Sequence, residues 1–243
     1  MSKIHTSWYS DRVGREVTVC RWGEVGTPVL FFPTAAADAE EGERFHMVDA
    51  LSDLLGEGRI KLYSVDSIAG MAWLTENNDT REAARIQDAF DAFCTHELIP
   101  AIRTDCNDPS IEVIATGPSI GAFNALASIC RHPDLYRAAI CMSGTYDLSK
   151  FLEGPVTETY FHASPLHFLP TLPEGPQLDR LRSRFILLAH GEGRFEEPDQ
   201  SWRVADALGA RGIPNRVDSW GPDYHHDWPT WREMLPRYLA EIL

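Results

Sequence analysis

Residues 111–127 read Ile-Glu-Val-Ile-Ala-Thr-Gly-Pro-Ser-Ile-Gly-Ala-Phe-Asn-Ala-Leu-Ala. An apolar run fit for a buried strand, Ile111–Ala115, leads into Gly-x-Ser-x-Gly, and a helix is predicted over Ile120–Arg131. A strand that turns at once into a helix needs glycine at 117 and 121, because side chains there would clash where the two elements approach. The central serine, Ser119, is then lifted out of the backbone at the tip of the turn. Pro118 fixes its own φ and keeps Gly117 extended, which suits a strand end. The N–H that Pro118 lacks is not the donor such a turn offers; that donor belongs to Ile120.

The remaining chain alternates in the same way. Strands are predicted at Val17–Trp22, Pro28–Phe32, Ile60–Val65, Ala138–Met142, Phe185–Ala189 and Arg216–Trp220. Helices are predicted at Thr80–Arg103, where Ala83, Ile86, Phe90, Phe93, Leu98 and Ile102 recur at roughly helical spacing, and at Gln200–Ala210 and Trp228–Leu243. Alternating strands and helices imply an α/β fold with a mostly parallel sheet covered on both faces. A chain of 243 residues suits one such domain. Residues 147–184 break the rhythm with prolines, histidines and aromatics, and read as an irregular excursion over the sheet's carboxyl edge, where open α/β sheets bind ligands.

Charge and cysteines narrow the partners. Against 22 Lys and Arg stand 36 Asp and Glu, a net charge of −14. Such a surface repels phosphate backbones and anionic lipid, so nucleic acid and membrane surfaces are poor partners. The five cysteines are widely spaced and form no CxxC, which fits neither a disulfide framework nor a zinc site. No apolar run is long enough to span a bilayer, and the first residues lack a signal core, so a cytoplasmic location is expected.

A serine at such a turn asks for a base, an acid and an oxyanion site. In this arrangement the chain order is nucleophile, acid, histidine. Asp223-Tyr224-His225-His226-Asp227-Trp228 follows the last strand, so His226 is the expected base, with His225 as the fallback. The nearby carboxylates at 223 and 227 fit no standard metal-ligand spacing, and neither metal nor cofactor is expected. After Phe185–Ala189 the loop carries four carboxylates: Glu196 is the first choice for the acid, then Glu192, then Glu197, with Asp199 in a helix's first turn. Pro33-Thr34-Ala35-Ala36-Ala37 follows an early central strand, so Thr34 or Ala35 is expected to supply a second oxyanion N–H beside that of Ile120. Trp73, Tyr160, Phe161, His162 and Phe168 are expected to line an aromatic substrate pocket.

Several blocks together resemble the esterase D-like branch of the α/β-hydrolase superfamily, which includes feruloyl esterases and mycolyltransferases. They are Leu30-Phe31-Phe32-Pro33-Thr34, His96-Glu97-Leu98-Ile99-Pro100, Thr116–Phe123, His132-Pro133-Asp134-Leu135-Tyr136, Ser143-Gly144-Thr145-Tyr146-Asp147 and His226-Asp227-Trp228. The resemblance implies the α/β-hydrolase fold and, independently of the spacing argument, favours His226 over His225. It implies a cofactor-free serine hydrolase that cleaves a small-molecule or acylated ester through an acyl-enzyme. The alternatives are an acyltransferase using the same intermediate and a binding protein that retains the fold without turnover. A homo-oligomer is left open.

Overall fold

The computed structural model describes residues 2–74, 79–152 and 154–243. Its strands are β1 (Lys3–Ser10), β2 (Arg15–Trp22), β3 (Thr27–Phe31), β4 (Ile60–Val65), β5 (Val113–Pro118), β6 (Tyr136–Met142), β7 (Phe185–His190) and β8 (Asn215–Ser219). The helices are α1 (Glu41–Arg44), α2 (Met47–Ala50), α3 (Ser52–Gly56), α4 (Ile68–Leu74), α5 (Thr80–Phe93), α6 (Ile99–Asp105), α7 (Ile120–Arg131), α8 (Glu158–Ala163), α9 (Pro165–Phe168), α10 (Pro176–Leu181), α11 (Pro198–Ala210) and α12 (Trp228–Ile242).

The strands form one sheet in the order β1-β2-β4-β3-β5-β6-β7-β8. The β1–β2 and β2–β4 pairs are antiparallel, and every later pair is parallel. This is the α/β-hydrolase fold. Successive strand residues face opposite sides, as the pleat requires. Leu30, Phe32, Ala115 and Leu188 join one core with α5, α6 and α7, whereas Val29, Phe31, Ile114 and Leu187 join a second core with α2, α3 and α12. Burial on both faces explains why β3 to β7 read as continuous apolar runs.

The helix expected over Thr80–Arg103 is divided. A π-turn at Cys94–Leu98 separates α5 from α6. Pro100 has no N–H to offer the preceding turn, and a wider turn relieves its ring's clash. The wider turn lets Phe93 and Leu98, five apart, both be buried in the same core. Glu97, within the π-turn, accepts bonds from Trp8 Nε1 at 3.0 Å and Ser10 Oγ at 2.8 Å on β1.

Two expectations are corrected. The segment 147–184 is not largely irregular; α8, α9 and α10 lie within it, and Leu148, Tyr160, Leu169, Leu178 and Leu181 are fully buried. Strand β1, unassigned from sequence, is an edge strand whose first four residues are exposed, so it carries no buried run to reveal it.

Candidate active site

Ser119 sits between the end of β5 and the start of α7 with φ 58° and ψ −124°. A non-glycine residue at positive φ is strained by roughly 1–3 kcal/mol and persists only where its surroundings over-determine it. Here they do. The Ser119 N–H donates to Met142 O at 2.9 Å, and Ser119 O accepts from Ala122 N–H at 3.1 Å and Thr145 N–H at 3.2 Å. A Cβ built on Gly121 would lie 2.1 Å from Phe32 O, and one on Gly117 would lie 2.4 Å from the same oxygen. The glycines therefore admit the backbone that follows β3, as well as allowing strand and helix to meet.

That backbone carries the second expected donor. The two residues named for it differ in their partners. Thr34 N–H is already taken by Glu41 Oε2 at 2.8 Å, and Thr34 Oγ1 bonds the other Glu41 oxygen. Glu41 is buried, which pushes its carboxyl above the usual range against the pull of both Thr34 bonds. Both Thr34 donors are thus engaged by Glu41. Among the described residues no acceptor engages the Ala35 N–H. Ile120 opens α7, where an N–H has no intrahelical acceptor. The two meet on one patch: a Cβ on Gly70 would lie 3.1 Å from Ile120 Cγ2 and 3.4 Å from Ala35 Cα.

The carboxylates after β7 separate just as clearly. Phe195 has φ 65° and is 85% exposed. This reversal throws its ring outward and drops Glu196 inward, where the carboxylate side chain is 1% exposed. Glu196 Oε1 accepts from Ser143 Oγ at 2.6 Å, and Oε2 faces His226 Nδ1 at 3.9 Å. The second distance is beyond a hydrogen bond, and such contacts often tighten only when a substrate binds. Glu192 turns to β8 and accepts from Ser219 Oγ at 2.6 Å. Glu197 pairs with Lys150 at 3.1 Å; burial raises its carboxyl, but bonds from Lys150 and Gln200 outweigh that and hold it below the ordinary value.

The adjacent histidines have separate tasks. His225 Nδ1 accepts Arg194 N–H at 3.0 Å, and its own N–H donates to Thr230 Oγ1 at 3.0 Å, so it ties the two loops together. A Cβ on Gly193 would meet that ring at 1.9 Å. His226 N–H bonds Arg194 O at 3.0 Å, which turns its ring toward Glu196. Asp227 caps α12 by accepting Trp228 N–H at 2.7 Å. A cleft of about 430 Å³ opens beside His226, lined also by Thr145, Lys150, Phe195 and Glu197. Thr145 joins the two halves, since it bonds Ser119 O and lines this cleft.

The expected aromatic pocket is corrected. Trp73 and Tyr160 are 4% and 0% exposed, packed edge to face at 5.5 Å, and Phe168 is core. Trp73 Nε1 is held by Gln87 Oε1 at 3.1 Å. Phe161 is half-buried and His162 is exposed, the two rings crossing at 5.3 Å. Trp73, Tyr160 and Phe168 are taken up by core packing. Among the described residues, a group of three metal-ligating side chains with ligand atoms within 4.8 Å of one another is His5, Cys20 and Glu40, and there Lys3 Nζ already bonds Glu40 at 2.7 Å. Among the described residues no helix is long and apolar enough to cross a membrane.

Comparison with known proteins places the chain in a family. The model of the family described as "Putative esterase" matches residues 72–242. The chain belongs to this family. Solved structures with the same fold include a ferulic acid esterase, at TM-score 0.73 and 18% identity, covering 100% of this chain and 99% of that one. The S-formylglutathione hydrolase of Agrobacterium tumefaciens superposes at TM-score 0.72 and 13% identity, covering 98% and 94%. A fluorophosphonate-binding serine hydrolase of Staphylococcus aureus superposes at TM-score 0.66 and 13% identity, covering 99% and 97%. No curated protein matches by sequence.

Proposed function

We propose that this member of the esterase family is a serine hydrolase that cleaves carboxylic esters through an acyl-enzyme on Ser119. The observation that carries the reading is the backbone of Ser119, held at φ 58° on a turn whose flanking glycines pack against Phe32 O. Family membership and the serine-hydrolase neighbours support it.

In this reading Ser119 Oγ attacks the acyl carbonyl while His226 Nε2 takes its proton. The carbonyl oxygen becomes an oxyanion that accepts bonds from the N–H groups of Ile120 and Ala35. Collapse breaks the ester C–O bond, and the imidazolium returns the proton to the departing alcohol. Water then attacks the acyl-enzyme by the same route and frees the acid. Glu196 orients the imidazole through Nδ1 and stabilises its cation.

A fluorophosphonate probe tests this directly. The wild type is expected to be labelled and Ser119→Ala not at all, with ester turnover falling about 10⁴-fold or more in Ser119→Ala and in His226→Ala. A folded wild type that takes no label at Ser119 and turns over no member of a broad ester panel overturns the reading.

A further inference from the structure

The buried acid has a support of its own. Ser143 lies just beyond β6, 3% exposed, at φ 47°, with its N–H on Ala189 O at 2.7 Å. Its Oγ accepts the indole N–H of Trp231 at 2.9 Å and donates to Glu196 Oε1 at 2.6 Å. The direction of this chain is forced. An indole nitrogen only donates, so the serine must use its single proton on the carboxylate. A carboxylate buried to 1% needs that partner, and the bond is charge-assisted.

With Oε1 tied, Oε2 is left facing His226. Trp231 also reaches the base: its ring meets the imidazole edge to face at 5.2 Å and 82°. One side chain on the first turn of α12 thus bears on both His226 and the support of Glu196.

We infer that Trp231 and Ser143 are positioning residues that hold Glu196 through a one-way hydrogen-bond relay from indole to hydroxyl to carboxylate. The inference deepens the esterase reading and rests on it for its catalytic consequence. The relay itself has a readout that needs no turnover.

The test combines indole ¹⁵N–¹H spectra with kinetics on 4-nitrophenyl acetate. Trp231→Phe identifies the Trp231 indole resonance by its loss. That resonance is expected to move upfield in Ser143→Ala, and also in Glu196→Gln, although Trp231 makes no hydrogen bond to Glu196. An indole signal indifferent to Glu196→Gln overturns the relay, whatever the enzyme's activity.

In kinetics, Trp231→Phe and Ser143→Ala are each expected to lower kcat about 10-fold with KM nearly unchanged, the size of one charge-assisted bond. The double variant should be no slower than the slower single variant, since both break one chain. Trp228→Phe removes the same volume from the ring that packs edge to face on Trp231 at 5.3 Å, whereas the bond to Ser143 belongs to Trp231; it therefore tests packing around Trp231 alone and should leave kcat within about twofold. Additive losses, or an equal loss in Trp228→Phe, overturn the relay in favour of simple packing. Failure of Ser119-dependent labelling would sink the esterase reading instead, and the indole spectra would still decide the relay.

Discussion

The turn that carries Ser119 and the loops that hold Glu196 and His226 meet across Thr145, yet side chains bear far more of the second than of the first. The turn is made of backbone. Its hydrogen bonds run from N–H to C=O, and its tight contacts are glycine Cα atoms against Phe32 O. The proposed acid and base rest on a mixture: side-chain bonds from Ser143 to Glu196 and between His225 and Thr230, and main-chain groups of Arg194 on His225 and His226. Backbone contacts leave almost no freedom, whereas side-chain contacts leave the 3.9 Å gap between His226 and Glu196. A nucleophile needs one fixed direction. A base that must accept a proton and then return it is served by a contact that can close and open.

If the comparison is right, the largest effect should come from the backbone side. Gly121→Ala puts a methyl 2.1 Å from a carbonyl oxygen that cannot swing away. It should cost about 3 kcal/mol or more and abolish turnover in whatever fraction folds. Urea unfolding with probe labelling checks it; a near-native midpoint would break the contrast.

The next effect separates the carboxylates. Glu196→Gln should lower kcat by about 10⁴-fold, in the range for triad acids, with labelling correspondingly slow. Glu192→Gln, whose partner is Ser219, should stay within about twofold of wild type. Equal losses in the two would mean that the acid is not placed by the Ser143 bond.

The smallest effect lies in a neighbouring cleft that shares Lys150 and Glu197 with the first. Burial raises the Asp147 carboxyl, but bonds from Arg203 and Ser149 outweigh it and hold it down to about 2, against an ordinary 3.8. A depressed acid contributes stability above its unfolded value and loses it as pH falls through the folded one. Asp147→Asn should therefore cost about 1–2 kcal/mol at pH 7, and the difference should shrink steadily between pH 4 and pH 2. Unfolding curves at several pH values read it, and a constant difference would assign the loss to packing.

What was legible in the sequence follows the same division. The strand, the glycines and the helix of the turn are consecutive, so residues 111–131 display their own logic; Ile120–Arg131 is observed as read. Strands β3 to β7 were visible because burial on both faces makes them mostly apolar. The proposed acid, Glu196, was less so, because three glutamates within six positions differ only in which way the chain turns, and that is set by the positive φ of Phe195. Ser143 and Trp231 lie 88 residues apart and touch only after folding. A tryptophan three residues after Trp228, on the apolar face of α12, was the available signal, but it reads first as core. The aromatics at 73 and 160 were misread for the converse reason: a buried core and a lined pocket draw on the same residues.

The π-turn between α5 and α6 makes the chain count. An ordinary helix would rotate Leu98 and Ile102 away from the face set by Phe90 and Phe93. The one extra residue restores their alignment, and it swings Glu97 out to clasp Trp8 and Ser10. Here length carries information that residue identity does not. Deleting one residue between 94 and 98 would regularise the helix, yet it would cost the outermost strand its two bonds to Glu97 and misalign the turn beyond it. Most single substitutions on the same stretch would leave both intact.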